Sequence, residues 1–104
     1  MIKFDLDYRM NLKPFLKQLR QLCQENNVAM LGVFGSVARG EDTPESDIDL
    51  LIKFKEPVSL IDLIRLEDKF VETLGRKIDL GTEDGLHPLI HKSVMSDLRV
   101  IYED

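Results

Sequence analysis

The chain has 104 residues, a net charge of −5, and 43% apolar and 32% charged residues. That suffices for one small domain with a core and a soluble surface, and a single domain over residues 1–104 is expected. The acidic balance, with no basic block, argues against nucleic acid as the main partner, and no apolar run approaches membrane-spanning length.

Asp5 and Asp7 near the start do not fit a basic-then-apolar leader, so a cytoplasmic protein is expected. Cys23 is the single cysteine, which excludes an intramolecular disulfide. Met1 to Tyr8 alternates Ile2, Phe4, Leu6 and Tyr8 with Lys3, Asp5 and Asp7, the pattern of a short edge strand or an arm packed on a neighbour. Asn11 to Asn26 places Leu12, Phe15, Leu16, Leu19, Leu22 and Cys23 at helical spacing. Pro14 suits only the start of that helix. Val28 to Phe34 is an apolar run read as a buried strand, broken at Gly35. Ser36 to Arg39 opens a short helix with Ser36 near its N-cap. Gly40 to Ser46 is a loop by composition.

Asp47 to Lys55 is the second expected strand. Ile48, Leu50 and Ile52 form an apolar face, and Asp47 and Asp49 start the other. Ser59 to Asp62 resembles a capping box and opens a helix whose apolar stripe is Leu60, Leu63, Ile64, Phe70, Val71 and Leu74. Gly75 fits its C-cap. Arg76 to Gly81 is a third strand, with Asp79 between Ile78 and Leu80. His87 to Leu98, with Leu89, Ile90, Val94, Met95 and Leu98, is a last helix, and Arg99 to Tyr102 a last strand. The fold class is therefore α/β (α+β), a small mixed sheet covered by helices. Only the connection from the second to the third strand is read as holding a full helix suited to a parallel crossover.

The acids carry the chemistry. Two carboxylates at i and i+2 on a strand share a face, roughly 6–7 Å apart. At an effective dielectric of 20 they repel by roughly 3 kcal/mol. A divalent cation such as Mg²⁺ removes that penalty and prefers carboxylate plus phosphate oxygens. The Gly35-Ser36 turn presents backbone N–H groups and a hydroxyl to such a phosphate. Each part alone has a bland reading. Gly35-Ser36 can be an ordinary turn, Asp47 and Asp49 a solvated strand start, and Asp79 a surface charge. Their order and spacing together favour a site. His87 and His91 stand at i, i+4 but lack a third ligand nearby, so capping or solvation is their expected role. Lys53, Lys55, Arg76 and Lys77 could attract a nucleotide, but strand-edge charge is the default reading.

Gly35-Ser36, ten residues, Asp47-Ile48-Asp49 and then Ile78-Asp79-Leu80 resemble the pattern of the nucleotidyltransferase superfamily of the DNA polymerase β type. The wording Gly35-Ser36-Val37-Ala38-Arg39-Gly40 resembles its minimal branch, the MNT-domain proteins, which often serve as antitoxin partners of HEPN-domain ribonucleases. The resemblance implies a polymerase β-like fold and ATP as substrate. It implies that Gly35 makes the turn beside the phosphates, that Ser36 contacts them and that Arg39 reaches toward them. It further implies that Asp47 and Asp49 ligate Mg²⁺, one ion or two, and that Asp79 completes the metal site and assists deprotonation of the attacking hydroxyl. Little chain is left for a wall over an acceptor, so the acceptor is expected from another chain. The leading expectation is AMP transfer to a tyrosine hydroxyl of a HEPN toxin. The alternatives are a non-catalytic module that masks its partner, and nucleotidyl transfer to a small molecule in a pocket completed by a homodimer.

Overall fold

The structure, a computed structural model, describes residues 12–104. The alternating segment Met1 to Tyr8 lies outside the described residues. A 3₁₀ turn, Lys13–Phe15, carries Pro14 at its start and leads into α1, Leu16–Glu25. The predicted stripe is the buried one: Leu12, Leu16, Leu19 and Cys23 are in the core, with Phe15 and Leu22 packed against it. Burial pushes the Cys23 thiol up to about 12, so it behaves as a small apolar residue. Asn26 caps α1, and Asn27 turns the chain through a positive φ of 55° into β1, Val28–Phe34.

A short helix α2, Gly35–Arg39, follows directly, and then β2, Ile48–Phe54. Helix α3, Leu60–Leu74, is capped by Ser59, whose Oγ accepts from the Asp62 N–H at 3.1 Å. Gly75, at φ 65°, ends it in the left-handed conformation. Strand β3, Ile78–Thr82, precedes a 3₁₀ turn, Glu83–Gly85, which the sequence patterning did not signal. Helix α4, Pro88–Asp97, and strand β4, Arg99–Glu103, complete the chain.

The four strands form a mixed sheet in the order β3-β2-β1-β4. β1 runs antiparallel to β2 and to β4, while β2 and β3 are parallel across α3. The tight link after β1 thus joins antiparallel strands, and the helical link after β2 is the parallel crossover. The link from β3 to β4 also holds a full helix, α4, which corrects the reading that only one connection does; it carries the chain from one sheet edge to the other.

One face of the sheet is the main core. Ile48, Leu50 and Ile52 of β2 join Leu31 and Val33 of β1, under α1 and α3. The opposite face, which bears Asp49, is covered where α4 ends. There Leu51, Leu98 and Val100 are buried with Met30, Phe34, Leu86 and Met95 around them. Gly32 permits this approach, since a Cβ there would stand 2.5 Å from Leu98 Cδ1.

Two apolar stripes need correction. On α3 the buried residues are Leu66, Phe70 and Leu74, with Leu63 packed beside them, whereas Leu60, Ile64 and Val71 are exposed. The inward line runs 63, 66, 70, 74, and the other apolar positions lie next to it on a wider arc. On α4 only Val94 is buried, with Met95 packed and Leu98 buried just beyond; Leu89 and Ile90 face outward. Strand-edge charge also fails for Lys53, because β2 is an inner strand. Among the described residues Lys53 is exposed on that inner strand. Among the described residues no helix is long and apolar enough to cross a membrane.

Candidate active site

Two of the three acids come from neighbouring strands, and the third directly precedes one of them. Asp49 and Asp79 are register partners on the parallel pair β2 and β3, so their side chains leave the same face about 4.8 Å apart at the backbone. Asp47 lies one residue before β2, and Lys77 Nζ approaches its Oδ2 at 3.9 Å. The second strand thus starts at Ile48 rather than at Asp47. The third starts at Ile78 rather than at Arg76. The Ile48 N–H donates to the Lys77 carbonyl at 2.9 Å, which locks the start of one strand to the start of the other.

Gly35 faces Asp49. It has φ 71°, and a Cβ there would stand 2.3 Å from Asp49 Oδ2. The positive φ strains any other residue, and a Cβ there would also push the Asp49 carboxylate aside. The turn at Gly35 also shifts the start of α2. Phe34, in extended conformation, occupies the N-cap position, Gly35 is the first helical residue and Ser36 the second. The expected capping role of Ser36 is therefore not what the structure shows, because the chain reverses at Gly35 itself and no side-chain cap bond forms. Ser36 stays half-buried, and the first-turn amides of α2 lack helical partners.

The electrostatics follow from this placement. Burial raises the Asp49 pKa above the ordinary carboxylate value, and the charges of Asp79 and Asp47 raise it further, while Arg39 opposes them. Asp49 is thus close enough to feel the charge of both other acids. Among the described residues, no three His, Cys, Asp or Glu side chains are drawn closely enough together to enclose a metal ion. The two observations are compatible. Asp49 lies beside Gly35, Asp47 and Asp49 are both half-buried, and Asp79 is exposed. The donor set, carboxylate oxygens only, suits a hard cation such as Mg²⁺.

Arg39 is committed elsewhere. Its Nη1 donates to Asp97 Oδ2 at 2.6 Å and its Nε to Glu41 Oε1 at 2.9 Å. These carboxylates, Glu41 first and Asp97 second, hold its pKa up. These two bonds use two of the five donors of the guanidinium, and the side chain is 44% exposed. The histidines take modest roles. His87 caps α4, its Nδ1 accepting from the Leu89 N–H at 3.1 Å, and His91 Nε2 lies 2.8 Å from Glu83 Oε2.

Sequence reasoning missed three contributors. Arg76 donates to Asp42, Thr43 and Ser46, in the loop that leads to Asp47. Glu67 of α3 accepts from the Leu80 N–H at 3.3 Å, on the strand that carries Asp79. Asp97 holds Arg39 from a position 58 residues away in sequence. None has a local signature in the sequence.

Residues 16–101 match the family model of the nucleotidyltransferase domain. The protein adenylyltransferase MntA of Thermococcus cleftensis is 37% identical over 79 residues, covering 76% of this chain and 80% of that protein. MJ0126 of Methanocaldococcus jannaschii, a candidate protein adenylyltransferase, is 42% identical over 83 residues, covering 79% and 85%. Among solved structures, a candidate minimal nucleotidyltransferase superposes with a TM-score of 0.73 at 36% identity, covering 84% of this chain and 89% of that one. The antitoxin complex with a tri-AMPylated HEPN toxin from Shewanella oneidensis shares the fold, with a TM-score of 0.65 at 16% identity, covering 86% of this chain and 70% of that one.

Proposed function

The chain belongs to the nucleotidyltransferase domain family, and on that premise we propose that it transfers AMP from ATP to a hydroxyl group of a partner protein. The observation that carries this reading is the in-register pair Asp49 and Asp79, with the Asp49 carboxylate seated against the one residue, Gly35, that leaves room for it. Asp47, Asp49 and Asp79 are the residues that would hold Mg²⁺, and two ions fit such a set of acids. When bound, the cation neutralises the triphosphate and stabilises the charge that develops on the leaving oxygen. Gly35 and Ser36 bind the triphosphate through the free amides of α2 and the Ser36 hydroxyl. The sequence resemblance implies that Arg39 reaches toward the same phosphates.

In the reaction the acceptor oxygen attacks the α-phosphorus, the bond from that phosphorus to the bridging oxygen of the β-phosphate breaks, and pyrophosphate leaves. The proton of the acceptor hydroxyl passes to the Asp79 carboxylate. Positioning and charge neutralisation account for most of the rate in this class of chemistry.

The acceptor we assign is a HEPN-domain toxin, which the chain would silence as an antitoxin. The similarity to MntA and the fold shared with antitoxin complexes support this assignment. Tyrosine is the acceptor side chain that the sequence resemblance implies. The exposed position of Asp79, on an edge strand, suits an acceptor arriving on a separate chain.

The test is to incubate the protein with ATP, Mg²⁺ and the product of the adjacent gene, and to weigh that product. The reading predicts a gain of one or more AMP units with wild type and none with Asp47→Ala/Asp49→Ala. Neutralisation of the partner by the double variant, with no added mass in either case, would establish masking by contact instead.

A further inference from the structure

We propose that Arg76 is a positioning residue for Asp47, acting through the loop that delivers this carboxylate to the site. The inference rests on the site reading given above. Arg76 reaches three acceptors with one planar group. Its Nη1 donates to Asp42 Oδ2 at 3.1 Å, and its Nη2 donates to the carbonyls of Thr43 at 3.2 Å and Ser46 at 2.7 Å. The Asp42 side chain is only 5% exposed and that of Arg76 21%, so this is an inner contact rather than a solvated pair. The Arg76 Nε is buried with no partner. The guanidinium is thus aimed with both Nη groups at the loop, at the expense of its own third donor direction.

The loop depends on this anchor. Thr43 and Ser46 close a tight turn on themselves, the Thr43 N–H donating to Ser46 Oγ at 2.9 Å and the Ser46 N–H to the Thr43 carbonyl at 3.0 Å. Those bonds fix the shape of the turn and not its place. The place is fixed by Arg76, which takes both ends of the turn at once, and the next residue is Asp47. Beyond it the chain is pinned again where the Ile48 N–H meets the Lys77 carbonyl. A single stretch, Gly75 to Asp79, therefore sets both flanks of the site. It contributes Asp79 directly, and it sets Asp47 through Arg76. Gly75, at φ 65°, makes the turn out of α3 that delivers Arg76 to this position. Lysine can replace it only in part, since an ammonium is a point donor and lacks the fork that spans two carbonyls and a carboxylate.

A residue that orients a metal ligand changes metal affinity, whereas one that only supports the fold changes stability. The probe is α,β-methylene-ATP, which cannot release AMP, titrated by calorimetry with and without Mn²⁺. Wild type is expected to bind the analogue more tightly with Mn²⁺, and Asp47→Ala/Asp49→Ala to lose that gain. Arg76→Met is expected to lose about tenfold of the gain, with the Mn²⁺-free affinity unchanged, and Arg76→Lys to fall between. Asp42→Asn, which keeps the fold of the loop but weakens the ion pair, is expected to resemble Arg76→Lys. If Arg76→Met does not fold, the other two variants carry the test. A full Mn²⁺ gain in the folded Arg76 and Asp42 variants, beside a lost gain in the double aspartate variant, overturns the proposal alone. A wild-type gain no larger than that of the double variant overturns the site reading and this proposal together.

Discussion

A methyl group at Gly35 would collide with the Asp49 carboxylate and force a positive φ on a residue that resists it. Gly35→Ala is therefore expected to destabilise the fold by about 1–3 kcal/mol. It is also expected to slow transfer by about 100-fold, because a small displacement of a reacting group is costly. Urea unfolding and a transfer assay measure the two effects separately. Asp49 supplies a second residue-level prediction. Its pKa is raised in the folded protein, by burial first and by Asp79 and Asp47 after it. The folded state then binds more protons than the unfolded state just above the ordinary carboxylate range, and stability falls as pH rises through that window. Without metal, Asp49→Asn should melt at a higher temperature than wild type at neutral pH, and the difference should vanish as pH falls below the window. Added Mg²⁺ should raise the melting temperature of wild type and not of the variant. A lower melting temperature for Asp49→Asn at neutral pH would show that the carboxylate is not under like-charge strain.

Most elements were legible from periodicity, and their faces less so. The α1 stripe was read correctly because α1 presents a narrow apolar face between polar residues. On α3 the apolar arc is wider than the buried one, and periodicity alone cannot say which side of a wide arc meets the core. The contrast is testable. Phe70 is fully buried, whereas Leu60 is 70% exposed. Phe70→Ala should cost about 3–5 kcal/mol in urea unfolding, and Leu60→Ser about 0.5 or less. Equal costs would mean that the inward line runs through Leu60 after all. The shift in the start of β3 has a different origin. Arg76 and Lys77 read as part of the strand until the structure shows Arg76 drawn off to the loop before Asp47. That contact spans 30 residues of sequence, so no local pattern records it.

At the scale of the molecule, the sheet order brings the candidate acids to one end of two strands. The motif spacing made Gly35, Asp47, Asp49 and Asp79 legible as candidates; in the structure Gly35 stands against Asp49, and Asp49 pairs in register with Asp79 across β2 and β3. The tertiary ties that hold the site could not be read from the sequence. They are Arg76 on the loop, Glu67 on β3 and Asp97 on Arg39, each from an element distant along the chain. The central claim is that Asp47, Asp49 and Asp79 form the metal- and nucleotide-binding centre of a transferase. The most direct measurement is anomalous diffraction at the manganese edge from crystals grown with Mn²⁺ and α,β-methylene-ATP. The account predicts an anomalous peak between the carboxylates of Asp47 and Asp49, with the triphosphate lying against Gly35 and Ser36. A manganese peak elsewhere on the molecule, or nucleotide bound away from these acids, would contradict it.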